Sequence, residues 1–199
     1  MQKQSARLNA VEYLAKESRS TIKHEYVDGE LYAMAGASRR HNLLVTNLIR
    51  RAGNAAAERG HCQVFGSDMK VHVEARNSFY YPDLSACCDP NDRDQRYITR
   101  PCLIVEVLSP ATASVDRREK RLSYATLASL VEYVIVDQDR LRVDVYAGQG
   151  VPWVARILNE PDDTLELSCL ALRLKLRDIY EGVELPTVGE PEAPDYAVG

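Results

Sequence analysis

"YYPDLSACC" (residues 80–88) and "PCLIVEVLSP" (residues 101–110) are two strand-like apolar runs, and each carries a single acid, Asp83 in the first and Glu106 in the second. A buried ionised carboxylate without a partner costs on the order of 3–5 kcal/mol. A chain that accepts this twice in so short a span is expected to bring the acids together around a cation. The segment between them, "CDPNDRDQRYITR", is polar and rich in Pro, Asn and Asp. It reads as a surface loop joining two strands that lie near one another.

Upstream, "LNAVEYLAKES" (8–18) sets Leu8, Val11 and Leu14 at helical spacing, which predicts a short amphipathic helix. "KHEYVDGELYAMAG" alternates around Asp28-Gly29, a dipeptide that closes two-residue turns, and so predicts a hairpin over 23–34. From the N-cap candidate Ser38 to about Arg59, Leu44, Leu48, Ala52, Ala55 and Ala56 form one apolar stripe, a long helix ending near Gly60. "CQVFGS" and "MKVHVE" read as short strands.

Downstream, Pro110 ends the Glu106 strand, and Val115, Leu122 and Ala125 predict a helix over 114–130. "VEYVIVD" (131–137) has the near-continuous apolar character of a strand covered on both faces, and "RLRVDVYA" alternates and pairs back across a turn at Asp137–Arg140. "VPWVARIL" and "TLELSCL" are further strands, followed by a short helix near 175–181. Residues 185–199, with three prolines and net negative charge, read as a flexible tail on a single domain over 1–184. This order describes an α/β (α+β) domain with a mixed central β-sheet flanked by helices.

The 199 residues are 45% hydrophobic and 27% charged, enough for one sizeable core. No apolar run approaches the roughly 18 residues of a membrane span, and the first residues lack the apolar core of a secretory signal. The expectation is a soluble, cytoplasmic protein with no membrane partner. A formal charge of −4 and a pI near 5.6 argue against strong non-specific nucleic-acid binding while leaving room for a local basic cleft. Five cysteines, at 62, 87, 88, 102 and 169, contain no C-x-x-C pair and are expected as reduced core thiols rather than a disulfide framework or a zinc knuckle.

Two carboxylates on adjacent strands can hold a hard divalent cation, Mg²⁺ or Mn²⁺, through oxygen ligands. Such an ion polarises a phosphoryl oxygen and generates a nucleophilic water. The part still needed is a cationic side chain to position that water and stabilise developing charge. Two residues beyond Glu106 stands Leu108, which cannot supply it. In "SVDRREKRLSYATL", Asp116, Lys120 and Tyr124 share one helical ridge, from which Lys120 can reach back to the acids. The plainer alternative is an Asp116–Lys120 helix pair on a solvated face, worth about 0.3–0.5 kcal/mol.

The runs "YYPDLSACC", "PCLIVEVLSPAT", "DRREKRLSY", "VEYVIVD" and "VDVY", in that order, resemble the Uma-type family of restriction endonucleases, formerly a domain of unknown function and a branch of the PD-(D/E)XK nuclease superfamily. "HEYVDGELYAMAGAS" and "HNLLVTNL" extend the resemblance over about residues 10–180. It implies a restriction-endonuclease-like core, with Pro82-Asp83 as the "PD" element, Glu106 as the acid of the second element, and Asp83 and Glu106 as the metal ligands. It further implies a Mg²⁺- or Mn²⁺-dependent endonuclease acting on DNA, with a homodimer as the arrangement for cutting two strands. Leu108 departs from the superfamily's lysine, and Lys120 is the replacement that fits. His41, on the inward stripe of the long helix, reads either as a core histidine or as a site residue, and the family's "H-N-x-x-V" favours the site.

Three other residues carry alternatives. Asp68 reads as a turn residue before a third acid, Glu30 as a solvated strand end before a metal ligand, and Ser109 lacks the G-x-S-x-G of a hydrolase. The four histidines lack i, i+4 zinc spacing, and there is no Gly-rich phosphate loop. A different class of reading, a non-catalytic nuclease fold kept as a binding or assembly module, is favoured by the acidic pI and by Leu108. The basic runs "RDQRYITR" and "DRREKR" read as phosphate contacts or as plain solvated faces.

Overall fold

The computed structural model describes residues 7–34, 36–108, 119–148 and 153–186. Helix α1 (Ala10–Glu17) begins at a capping box in which Asn9 accepts from the Glu12 amide and Glu12 accepts from the Asn9 amide. Of the expected Leu8–Val11–Leu14 stripe, Leu8 and Leu14 pack partly buried against the core and Val11 does not. Val11 is 77% exposed, and Tyr13 is the side chain driven into an aromatic cluster with Tyr26 and Phe79. Tyr13 satisfies its hydroxyl on the His24 carbonyl at 2.7 Å, so an amphipathic ring outcompetes a valine for the interior.

The expected hairpin is formed by β1 (His24–Val27) and β2 (Glu30–Ala33). Asp28 and Gly29 both take positive φ, 45° and 96°, as a two-residue turn of this twist requires. The long helix α2 (Arg39–Arg59) is capped by Ser38 and ended by Gly60 at φ 73°, and it buries Leu44, Leu48, Ala52 and Ala56.

The strands divide between sheets more than the sequence suggested. Strands β3 (Gln63–Gly66), β6 (Leu84–Cys87), β8 (Leu103–Leu108), β9 (Glu132–Asp137), β10 (Val143–Ala147) and β11 (Val154–Leu158) form a mixed six-stranded sheet ordered β11-β10-β9-β8-β6-β3. Its β8–β9 pair is parallel and the other pairs are antiparallel. Strands β4 (Lys70–Val73), β5 (Ser78–Tyr80) and β7 (Tyr97–Ile98) join the hairpin in a five-stranded sheet ordered β2-β1-β5-β4-β7. The runs at 63 and 70, adjacent in sequence, thus belong to different sheets. Strands β12 (Thr164–Leu167) and β13 (Leu172–Lys175) form a separate hairpin. The final helix α4 is short, Leu176–Ile179, because β13 takes the first residue of the stretch expected to be helical.

Period-two alternation along β8 assigns the layers. Leu103, Val105 and Val107 face a core built with α2, α4 and the β12–β13 hairpin, whereas Ile104 and Leu108 face Val71, Val73, Tyr80, Tyr124 and Tyr133. Glu106 has the parity of Ile104 and Leu108 and lies on that second face. The helix expected over 114–130 is described only from residue 119, and α3 (Arg121–Tyr124) closes at Ala125 with Leu122 half exposed. Asp116, Val115 and Ser109 lie outside the described residues, as does the greater part of the tail.

The reduced-thiol expectation is overturned for four cysteines. Cys62 pairs with Cys88 and Cys102 with Cys169, leaving Cys87 as a buried free thiol. The β3–β6 register, Gln63 against Cys87, carries on to set Cys62 opposite Cys88. That cross-strand match is invisible until the two strands are known to pair. No helix among the described residues is long and apolar enough to cross a membrane.

His72, on β4, stacks on Phe79 with ring centroids 4.1 Å apart and nearly parallel planes. Burial lowers its pKa below the ordinary value of 6.5. The unfolded chain therefore binds the proton more readily, so this contribution is present above about pH 6.5 and is lost as pH falls through that value towards the folded pKa. Substituting His72→Gln is expected to flatten the fall in urea midpoint between about pH 7 and pH 5. An unchanged slope contradicts the assignment.

Candidate active site

Every residue of β8 is buried, and Glu106 sits in it with a side chain only 5% exposed. Such an acid needs partners. Its Oε1 accepts from the Lys120 ammonium at 3.2 Å and from the Tyr124 hydroxyl at 3.0 Å. Burial, and then the neighbouring Glu106 charge, hold the Tyr124 phenol well above its usual pKa, so it stays a donor at neutral pH. Lys120 also meets Glu25 Oε1 at 2.8 Å, and its ammonium lies 5.7 Å from the centre of the Tyr80 ring. Glu25 in turn accepts from the Tyr81 amide at 3.1 Å. One ammonium thus serves two carboxylates from different sheets.

Asp83 reaches the same region by another route. Pro82 has no amide hydrogen to give a ladder, and the chain leaves the five-stranded sheet at Tyr80 and joins the six-stranded sheet at Leu84. Asp83 is therefore on the lead-in to β6, not within a strand as expected. Because Leu84 pairs with Val105, one further step of the register brings Asp83 opposite Glu106. Its Oδ2 accepts from the Val107 amide at 2.7 Å and lies 3.2 Å from His41 Nε2. His41 stands in the first turn of α2, where its amide donates to the capping hydroxyl of Ser38. Ser38 donates to Gln138 at 2.6 Å and Arg40 pairs with Asp139 at 2.8 Å, which fastens this helix end to the turn after β9.

Among the described residues, Glu25, Asp83 and Glu106 gather three carboxylates around the Lys120 ammonium. Carboxylate oxygens are the donors that Mg²⁺ and Mn²⁺ take, and surplus negative charge at a buried site is what a divalent ion offsets. Both contacts of Asp83 fall on Oδ2, and His41 Nδ1 is buried without a hydrogen-bond partner. By kind and charge, the residues fit such an ion.

Of the residues singled out in the sequence, Asp83, Glu106, Lys120 and His41 converge. Leu108 is buried in the apolar face where the superfamily lysine is expected. Glu30 does not join them: it is exposed and accepts from the Tyr32 hydroxyl. Asp68 is an exposed turn residue paired with Lys23. Glu25 was missed, although a signal existed. In the hairpin register Glu25 pairs with Tyr32 and Val27 with Glu30, which puts both glutamates on one face. The acid further from the turn is the one carried towards the centre of the molecule.

The model of the Uma2 family, described as "Putative restriction endonuclease", matches residues 10–177. Two relatives from Synechocystis sp. (strain ATCC 27184 / PCC 6803 / Kazusa) are similar in sequence. Uncharacterized protein slr1290 is 37% identical over 180 residues, covering 89% of this chain and 93% of its own length. Uncharacterized protein sll1609 is 37% identical over 146 residues, covering 72% and 82%. A crystal structure titled as a putative nuclease belonging to DUF820, from Anabaena variabilis ATCC 29413, superposes with a TM-score of 0.72 at 17% identity, over 87% of this chain and 97% of that one. The last likeness establishes the nuclease-like fold.

Removing the shared cation should be expensive. Lys120→Met leaves Glu25 and Glu106 facing each other in the interior and is expected to destabilise the protein by about 3–5 kcal/mol. Adding Glu25→Gln should recover part of that loss, because one of the two facing charges is gone. Urea unfolding of the single and double variants measures both, and a Lys120→Met midpoint equal to that of the parent contradicts the buried pairing.

Proposed function

The chain belongs to the Uma2 family of restriction-endonuclease-like proteins, and we propose that it is a Mg²⁺- or Mn²⁺-dependent endonuclease hydrolysing DNA phosphodiester bonds. The observation that carries this reading is the Lys120 ammonium 3.2 Å from Glu106, which supplies the cation that Leu108 cannot. Asp83 and Glu106 would hold the ion. Bound there, it supplies Lewis-acid polarisation of a phosphoryl oxygen and lowers the pKa of a coordinated water.

The chain's own residues would complete the chemistry. Lys120 orients the attacking water and offsets charge developing on the phosphoryl oxygens. Tyr124 keeps Glu106 in place by its hydrogen bond, and the Val107 amide does the same for Asp83. His41, against Asp83, fixes that carboxylate and offers a ring nitrogen for a proton. For the basic loop, the solvated-face alternative is favoured over phosphate contact by its own acids. Arg100 is paired with Asp89 and Arg96 with Asp94, so each of these two basic charges has an acidic neighbour on the loop itself. A homodimer cutting two strands remains part of the proposal, as does a cytoplasmic setting.

A second reading, a non-catalytic binding or assembly module, is favoured by one observation: the Lys120 ammonium pairs with both Glu25 and Glu106, a contact that joins the two sheets and gives these residues a structural role of their own. Incubation with plasmid, linear and single-stranded DNA in Mg²⁺ or Mn²⁺ separates the two. Cleavage is expected, and Asp83→Ala, Glu106→Ala and Lys120→Ala are each expected to reduce its rate by at least about 100-fold. Circular dichroism reports whether each variant stays folded. DNA left uncut under all these conditions, with no heat of metal binding by calorimetry, overturns the nuclease in favour of the module.

A further inference from the structure

The two disulfides are not separate. The Cys88 sulfur lies 3.6 Å from that of Cys102 and 3.9 Å from that of Cys169, and the sulfurs of Cys88, Cys102 and Cys169 all lie within 4.8 Å of one another. Cys62 joins this trio through its bond to Cys88, and its sulfur also lies with that of Cys88 in a second close group that includes a ring nitrogen of His61. We propose that, in its reduced form, this four-cysteine cluster is a structural zinc site.

The first argument is geometric. Zinc with four thiolates is tetrahedral with Zn–S near about 2.3 Å, which sets neighbouring sulfurs about 3.8 Å apart. Two of the four contacts between the disulfide pairs, those of Cys88 at 3.6 and 3.9 Å, bracket that edge, and reduction of the Cys62–Cys88 bond frees the Cys62 sulfur to take up the fourth position. A cluster of several irons needs its cysteine sulfurs much further apart. Thiolates are also the donors that zinc prefers over the oxygen-seeking Mg²⁺ and Mn²⁺ of the acid site. The two sites therefore call for different ions.

The second argument is architectural. Cys62 leads into β3, Cys88 follows β6, Cys102 precedes β8, and Cys169 lies in the single turn between β12 and β13. Four separate segments converge, and one of them comes from a hairpin that makes no ladder with the large sheet. A tetrahedral ion holds such a convergence better than pairwise bonds, because it joins all four segments at once. Cys88 and Cys102 cap the ends of β6 and β8 opposite to those carrying Asp83 and Glu106. Cys87, the immediate neighbour of a ligand, faces the other side of β6, beside Asp92 and the Arg100 carbonyl. It is excluded from the cluster and serves as a control.

The two covalent states exchange as follows. Two equivalents of a dithiol reductant deliver four electrons and four protons, cleave both S–S bonds and leave four thiols. Zinc then displaces the four thiol protons and forms four Zn–S bonds, giving a site of charge −2.

The test uses the full chain, prepared anaerobically with a dithiol reductant and dialysed before elemental analysis. About one zinc per chain is expected. Replacement by Co²⁺ should give the visible bands and thiolate charge-transfer absorption of a tetrahedral sulfur site, at one equivalent. Cys88→Ser and Cys102→Ser should lose these signals, Cys87→Ser should keep them, and added Zn²⁺ should raise the unfolding midpoint of the parent but not of the first two variants. The cobalt titration of the parent requires no variant to fold. Reduced parent protein that takes up neither ion overturns the proposal, as does metal retained in full by Cys88→Ser and Cys102→Ser, or a pair of disulfides that the reductant cannot open in the folded protein.

Discussion

A single ammonium, that of Lys120, lies between Glu25 of the five-stranded sheet and Glu106 of the six-stranded one. Around it the two sheets share one apolar cluster, with Val71, Val73 and Tyr80 against Ile104, Leu108 and Tyr133. Two carboxylates on strands of different sheets repel each other in a region of low dielectric, and no rearrangement of apolar side chains relieves that. The cation is thus a condition for the two sheets to close over this face. It comes with a hydrogen bond from Tyr124 to Glu106 and one from the Tyr81 amide to Glu25, so Oε1 of each acid meets a neutral protein donor as well as the charge.

The second constraint is the crossover at Tyr81-Pro82-Asp83. Proline terminates one ladder, the following residue turns into the next sheet, and the acid is left at the seam with the Val107 amide donating to it. The site therefore owes its position to the place where the chain changes sheets. His41 meets Asp83 from a third element, the start of α2, which is itself fastened to the turn after β9 through Ser38 and Arg40. Each group that could touch a substrate is held by an element with its own reasons to be where it is.

Sequence patterns carried the local features well and the long-range pairings poorly. The Asp28-Gly29 turn, the Ser38 cap and the Gly60 stop are chemistry within a few residues, and all three stand as read. Asp83 and Glu106 were legible because acids within apolar runs violate burial, and Lys120 because helical spacing put it on a ridge. Glu25 was passed over for Glu30, since choosing between two acids on one face of a hairpin needs the position of the other sheet. Cys62 and Cys88 were read as separate thiols for the same reason: their proximity follows from β3 pairing with β6, which no local period encodes. Val11 failed differently, through competition, because Tyr13 filled the same interior with more surface and a satisfied hydroxyl.

In the proposed site the lysine comes from the start of a helix rather than from the strand. On the strand, two residues after Glu106, its direction would be set by the pleat; that position is Leu108, which is packed with Tyr80, Tyr124 and Tyr133 instead. Lys120 is the N-cap residue of α3, so its ammonium is only as well placed as that helix. Two adjacent residues hold that helix down, Ser123 through the Tyr80 hydroxyl at 3.0 Å and Tyr124 through Glu106 itself. The acid that needs the cation therefore helps to position the element that delivers it. Because Glu106 holds both the lysine and its carrier, charge and packing at this site form one cooperative unit, and perturbing either member moves the other.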